Sequence, residues 1–175
     1  MVLRLIRPTQ QYAKQVMDFK SQLAFHNESF AGCGGLEEVT SFLQWIDFEN
    51  RLRKKYGKDY VPSEVFLAIR NSDDKLVGII DYRHPLSSFL FNYGGNIGYS
   101  VLPSQRRKGY ASEMLKQILL ICKEYGEKRV LVTCDKSNIA SQKTIIKNGG
   151  ILDNEVKDTA GLCNGGIIQR YWIEI

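Results

Sequence analysis

Apolar residues recur three and four apart at Ala111, Met114, Leu115, Ile118, Cys122 and Tyr125, while Ser112, Glu113, Lys116, Gln117, Lys123 and Glu124 occupy the opposite face. This spacing predicts one long amphipathic helix, with Gly126 as its stop. The segment before it, residues 96–101, is rich in strand formers, and Pro103 ends it because proline has no N–H for a ladder. Residues 2–7 alternate apolar and polar as a first strand does. Thr9 is a candidate N-cap for a helix carrying Tyr12, Val16, Phe19 and Leu23 on one face. Gly32, Gly34 and Gly35 interrupt regular structure. A second helix is predicted over residues 36–56, with Leu36, Val39, Phe42, Leu43 and Ile46 as its stripe and Gly57 as its end.

Residues 64–70 and 75–82 read as a hairpin around the turn 71–74. A loop at 85–95 leads to the fourth strand. After the long helix, Val130-Leu131-Val132-Thr133 marks a strand at 128–134, short and β-branched like one buried on both faces. A short helix over 138–148 stops at Gly149 and Gly150. Final strands follow at 151–156 and 167–175, with a loop at 161–166 between them. This order predicts an α/β fold with a mixed sheet, in which the fourth strand, long helix and fifth strand form a right-handed parallel crossover. No repeat, linker or low-complexity tract divides the chain, so residues 1–175 read as a single domain.

Between strand and long helix stands Arg106-Arg107-Lys108-Gly109-Tyr110-Ala111. A helix start exposes unpaired N–H groups and the positive end of the dipole. Three cations ahead of it, with the small residues Gly109 and Ala111, make a receptor for phosphate. Neither the P-loop pattern nor the dinucleotide glycine pattern is present.

That hexapeptide resembles the R/Q-x-x-G-x-G/A signature of the GNAT superfamily of acetyl-CoA-dependent N-acetyltransferases, and the resemblance is carried by residues 64–150. It implies a mostly antiparallel central sheet with helices on both faces and a splayed fourth and fifth strand pair. It implies acetyl-CoA as acyl donor, with its pyrophosphate on Arg106, Arg107, Lys108, Gly109, Tyr110, Ala111 and Ser112. Asn138 and Ser141 match a second cofactor element after the fifth strand, where the asparagine amide bonds pantetheine. A helix cap is an equally simple role for Asn138. Ser100 and Val101 would wall the pantetheine, and the N–H near Val101 would polarise the thioester carbonyl. The family carries a bulge in this strand. Gly98 fits a bulge or a close approach there, and it fits plain packing room as well.

Direct attack by a neutral amine needs a base, and the leaving thiolate takes an acid. Many family members use a tyrosine seven residues after the asparagine. Here that position is Ile145. The catalytic candidates are therefore His84, Asp81 and Tyr99, with Glu64, Cys134 and Tyr110 behind them. The acceptor would be a small-molecule or peptide amine, in a groove built by the first two helices and residues 89–95. Phe30, Phe42, Trp45 and Phe89 are lining candidates, each equally a core aromatic. Asp47 and Glu49 would attract a cation, or else lie on solvated surface.

The net charge of +5 suits an anionic ligand. Apart from the turn, the basic residues cluster only at 51–55, read as a solvated helix end, so nucleic acid is not expected as a partner. Two histidines and four cysteines without C-x-x-C spacing predict no metal and no disulfide framework. Neither a secretory signal nor a membrane span is read, which makes the expected location cytoplasmic. The resemblance also admits a homodimer. A binding-only acyl-CoA module is the alternative, motivated by Ile145.

Overall fold

The computed structural model describes residues 2–54, 61–162 and 166–175. Among these, seven strands form one sheet: β1 (Leu3–Ile6), β2 (Ser63–Arg70), β3 (Lys75–Arg83), β4 (Ile97–Val101), β5 (Arg129–Asp135), β6 (Ile151–Lys157) and β7 (Ile167–Glu174), in the order β1-β2-β3-β4-β5-β7-β6. Every neighbouring pair is antiparallel except β4 and β5, which are parallel. The longer helices are α1 (Ala13–Phe25), α2 (Phe42–Arg53), α3 (Tyr110–Glu124) and α4 (Ile139–Lys147).

Alternation along the strands separates two apolar cores, because successive side chains point to opposite faces. On β2, Phe66 and Ala68 join Met114, Leu115, Ile118 and Cys122 of α3 and Ile145 of α4. Val65, Leu67 and Ile69 join Val16, Phe19 and Leu23 of α1 and Phe42 and Trp45 of α2. Helices therefore cover both faces, as the resemblance implies. The β4–β5 pairing contains a single register position, Ile97 opposite Val132. Beyond it the two strands part, and a gap opens toward the start of α3.

Several local expectations change. The predicted 36–56 helix is two elements: a short turn at Leu36–Glu38, then extended backbone at Val39 and Ser41 before α2. The break comes from Ser41, whose side chain accepts the Gln44 N–H and caps a fresh helix start. That restart turns Leu43 outward, 67% exposed, and puts Phe42, Trp45, Glu49 and Leu52 inside. Thr9 makes no side-chain cap bond; its carbonyl accepts from Tyr12 in a short turn at Gln10–Tyr12. Tyr125 lies at the rim of α3, not in its buried stripe. The 85–95 loop contains a wide helical turn at Leu90–Gly94. No register shift occurs between β3 and β4; irregularities lie between Ala68 and Ile69 of β2 and between Leu152 and Asn154 of β6. The expected helix end at Gly57, part of the 51–55 basic cluster, part of the 161–166 loop and Cys163 lie outside the described residues.

Candidate active site

Gly109 sits ahead of α3 at φ +82°, a left-handed conformation that glycine adopts without strain. A Cβ built there would meet nothing within 4 Å, so the space before the helix start is open. No side chain caps this start. Its first-turn amides are left to a ligand or water. Beside it lies a cavity of about 500 Å³ lined by Gly109, Ser112, Glu113, Lys116, Leu119, Lys147 and Asn148. Asn148 Nδ2 donates to Ser112 Oγ at 3.1 Å, tying the end of α4 to the first turn of α3.

The cations of the turn take separate paths. Arg106 folds back: its Nε donates to the Val101 carbonyl at 3.2 Å, and its Nη1 pairs with Glu28 at 2.7 Å. Arg107 is exposed at φ +60°. Lys108 Nζ donates to Ser104 O and Gln105 Oε1. The Tyr110 side chain is buried, its hydroxyl receiving Arg70 Nη1 at 3.1 Å, so only its main chain faces the turn. Ala111 packs against the α3-side core.

Along the gap, Arg83 N–H donates to Asn96 O at 2.8 Å and Leu102 N–H to Val77 O at 3.0 Å. Antiparallel pairing alternates, so Gly98, Ser100 and Leu102 turn their main-chain groups toward β3, whereas Asn96 is split, its carbonyl accepting from Arg83 and its N–H donating to Leu131 O of β5 at 2.7 Å. Tyr99 and Val101 turn theirs into the gap. Ser100 Oγ points to the opposite side and donates to Ser29 O at 3.1 Å and Ala31 O at 2.8 Å. On the other wall, Asn138 caps α4, its side chain accepting from Ser141 N at 3.0 Å.

Tyr99 Oη lies 2.9 Å from Ser141 Oγ, bridging β4 to α4. Burial pushes its hydroxyl up to about 12, with the Ser141 bond acting the other way, so it is protonated at neutral pH. Cys134, next to Ser141, is pushed up to about 11 by burial, which disfavours a thiolate nucleophile. Ile145, where many family members carry tyrosine, is fully buried.

The three catalytic candidates do not meet. Asp81 lies on the α1–α2 side, buried and bound bidentately to Arg83 at 2.7 and 2.8 Å, while its Oδ1 also accepts the Gly98 N–H at 2.9 Å. His84 lies on the α3 side, stacked on Tyr82 with ring centres 4.8 Å apart and near Tyr125. Tyr125 follows the last residue of α3, and 15 residues of helix put it about 22 Å from the turn at Gly109. Tyr99 is the candidate that stands in the gap. Glu64 is held by Arg7 at 2.8 Å.

The acceptor candidates sort differently from one another. Phe42 and Trp45 are core, Phe30 is partly buried against that core, and Phe89 is exposed. Asp47 keeps 70% of its side-chain surface and pairs with Arg51. Glu49 is buried, and its Oε1 has no hydrogen-bond partner among the described residues. Sequence reasoning read Glu49 as attracting a cation or lying on solvated surface; it stands four residues after Trp45 and three before Leu52, on the helix's buried side. Lys116, Lys147 and Asn148 were also missed as pocket residues; Lys116 lies one turn beyond Ser112 on the same face.

A family model described as "Acetyltransferase (GNAT) domain" matches residues 3–151. The chain belongs to the GNAT acetyltransferase family. It is an acyltransferase by that membership. Solved structures of GNAT proteins share the fold at low identity. RimL, a ribosomal L7/L12 alpha-N-protein acetyltransferase solved with coenzyme A, superposes with TM-score 0.73 at 18% identity, covering 100% of this chain and 95% of that one. The microcin C7 self-immunity acetyltransferase MccE, solved with acetyl-CoA and AMP, gives 0.70 at 17%, covering 99% and 92%. A spermidine N-acetyltransferase SpeG chimera from Vibrio cholerae and hSSAT gives 0.66 at 12%, covering 99% and 96%. No curated protein matches the chain in sequence. Among the described residues no group of three His, Cys, Asp or Glu side chains is placed to hold a metal, and no helix is long and apolar enough to cross a membrane.

Proposed function

We propose that this chain transfers the acetyl group of acetyl-CoA to a primary amine of a small molecule or peptide, by direct attack in a ternary complex within one domain. The observation that carries the reading is the gap between two parallel strands that pair at one position and part, headed by an open helix start at Gly109. Acetyl-CoA supplies an activated acetyl thioester. The α3 amides and Arg107 bind phosphate, and Lys116 and Lys147 line the adjoining cavity. The Tyr99 and Val101 main chain offers pantetheine the hydrogen bonds of a missing strand, and the Val101 N–H stabilises the oxyanion. The Tyr99 hydroxyl donates a proton toward the leaving sulfur. The acceptor class is supported by neighbours whose names specify protein N-terminal and spermidine acetylation.

Calorimetry with acetyl-CoA tests the reading. Binding in the micromolar range is expected, and Gly109→Asp should abolish it, because added bulk and negative charge fill the open space before α3. Unchanged affinity in that variant would remove the foundation of the assignment. A second reading, an acyl-CoA-binding regulatory module without turnover, draws on Ile145. Thiol release from acetyl-CoA with an amine panel, faster than spontaneous hydrolysis, excludes it.

A further inference from the structure

Glu49 is 2% exposed, and its Oε1 lacks any hydrogen-bond partner among the described residues. An unpaired buried carboxyl costs free energy that packing must offset, so its neighbourhood bears on what it does. A Cβ placed on Gly34 would come within 2.1 Å of Glu49 Oε1 and 2.7 Å of Val65 Cγ2. Val65 stands opposite Asp81 in the β2–β3 register. The carboxyls of Glu49 and Asp81 therefore face one seam beneath the loop 29–35. Asp81 is answered by Arg83 and by the Gly98 amide. Glu49 has no such answer.

The seam leads to the proposed reaction centre. Gly32 sits at φ +75°, packed on β4 so closely that a Cβ would lie 2.1 Å from Gly98 O and 2.6 Å from the Tyr99 nitrogen. Both carboxyls thus lie along the glycine loop that touches the strand walling the gap. Ser100 Oγ ties this loop to β4.

We infer that Glu49 is the acceptor-side base: it receives the ammonium group of a primary amine at this seam and takes its proton. The inference rests on the acetyl-transfer reading. The bound ammonium first drives the Glu49 proton out to solvent, and the carboxylate so formed takes one N–H proton, leaving a neutral amine and a carboxylic acid. The nitrogen lone pair forms the C–N bond as the C–S bond breaks, and the second nitrogen proton ends on the departing sulfur. Burial, and then the charge of Asp81, pushes the Glu49 carboxyl up to about 8, while Arg53 on its own helix pulls it down. From β3, Arg83 stands behind Asp81; the loop contributes the Cys33 thiol near that pair, and β2 contributes apolar Val65. A base poised near neutrality suits proton abstraction from an amine.

Carbon-13 NMR of glutamate-labelled protein tests this, with the Glu49 carboxyl signal assigned by its loss in Glu49→Gln and titrated with and without n-butylamine. The amine should lower the Glu49 midpoint by about one unit or more, since an opposite charge favours the carboxylate. Glu49→Gln should cut kcat/KM for n-butylamine by about 100-fold, while acetyl-CoA affinity stays within about threefold. A midpoint that ignores the amine overturns the inference, whatever the turnover. Failure of wild-type protein to bind acetyl-CoA overturns the acetyl-transfer reading instead, and calorimetry reads that separately.

Discussion

Tyr99 stands one register position from Gly98, the partner of Asp81, so the two side chains point to opposite faces of the sheet, and their surroundings give them different work. Tyr99 keeps its proton through burial and meets the hydroxyls of Ser141 and Thr144. It is thus a donor with no competing base. Tyr99→Phe should lower kcat for amine acetylation by about 100-fold with acetyl-CoA affinity nearly unchanged. Its pH–rate profile should have no limb assignable to Tyr99 between about pH 6 and pH 10, because the hydroxyl stays protonated across that window. Thiol-release kinetics checks both, and a fall in Tm with kcat intact would make Tyr99 a brace between β4 and α4. Asp81 is committed to Arg83 and the Gly98 amide. Asp81→Asn leaves Arg83 without its counter-charge. The expected loss of stability is near the lower end of about 3–5 kcal/mol, since Arg83 keeps 19% of its side-chain surface in water. Denaturant unfolding measures it.

At the scale of elements, the glycine loop after α1 and strand β4 form a joint with no room between them. Gly32→Ala would drive a methyl group into the Gly98 carbonyl and strain a φ of +75°. It should cost about 1–3 kcal/mol and detach the loop from β4, so amine KM should rise more than acetyl-CoA affinity falls. A steady-state comparison of the two substrates reads that split. This joint was only half legible in the sequence. Glycines at 32, 34 and 35 announce a break in regular structure, but not what the loop rests on, because that contact is 66 residues away along the chain. Gly98 left two uses open, and close approach is the one found. The α3 stripe was legible because one face alone is buried, so its period is clean. The restart at α2 was present as Ser41 with Gln44 three residues on, and it was overridden by apolar residues that happened to continue the spacing across the break.

For the whole molecule, the glycine turn before α3, the crossover and the parting strands were readable because each depends on local chemistry at one junction. The proposed acceptor side was not, since it would be assembled from α2, the glycine loop, β2 and β3, and no short stretch contains it. Glu49 shows the consequence: within α2 it is one acidic residue among polar ones, and only tertiary packing removes it from water. That burial makes stability itself depend on pH. The Glu49 carboxyl titrates at about 8 in the folded protein against 4.5 ordinarily. Between these values the folded chain holds a proton that the unfolded chain has released, so the unfolded state binds fewer protons and stability falls as pH rises. The contribution is fully present below the lower value and is lost progressively up to the higher one, by on the order of a few kcal/mol. Glu49→Gln is neutral throughout and removes this slope. Its Tm relative to wild type should therefore rise steadily from about pH 5 to pH 8. Calorimetric scans across that range would show the two curves diverging, and parallel curves would mean that Glu49 is ionised in the folded protein at neutral pH.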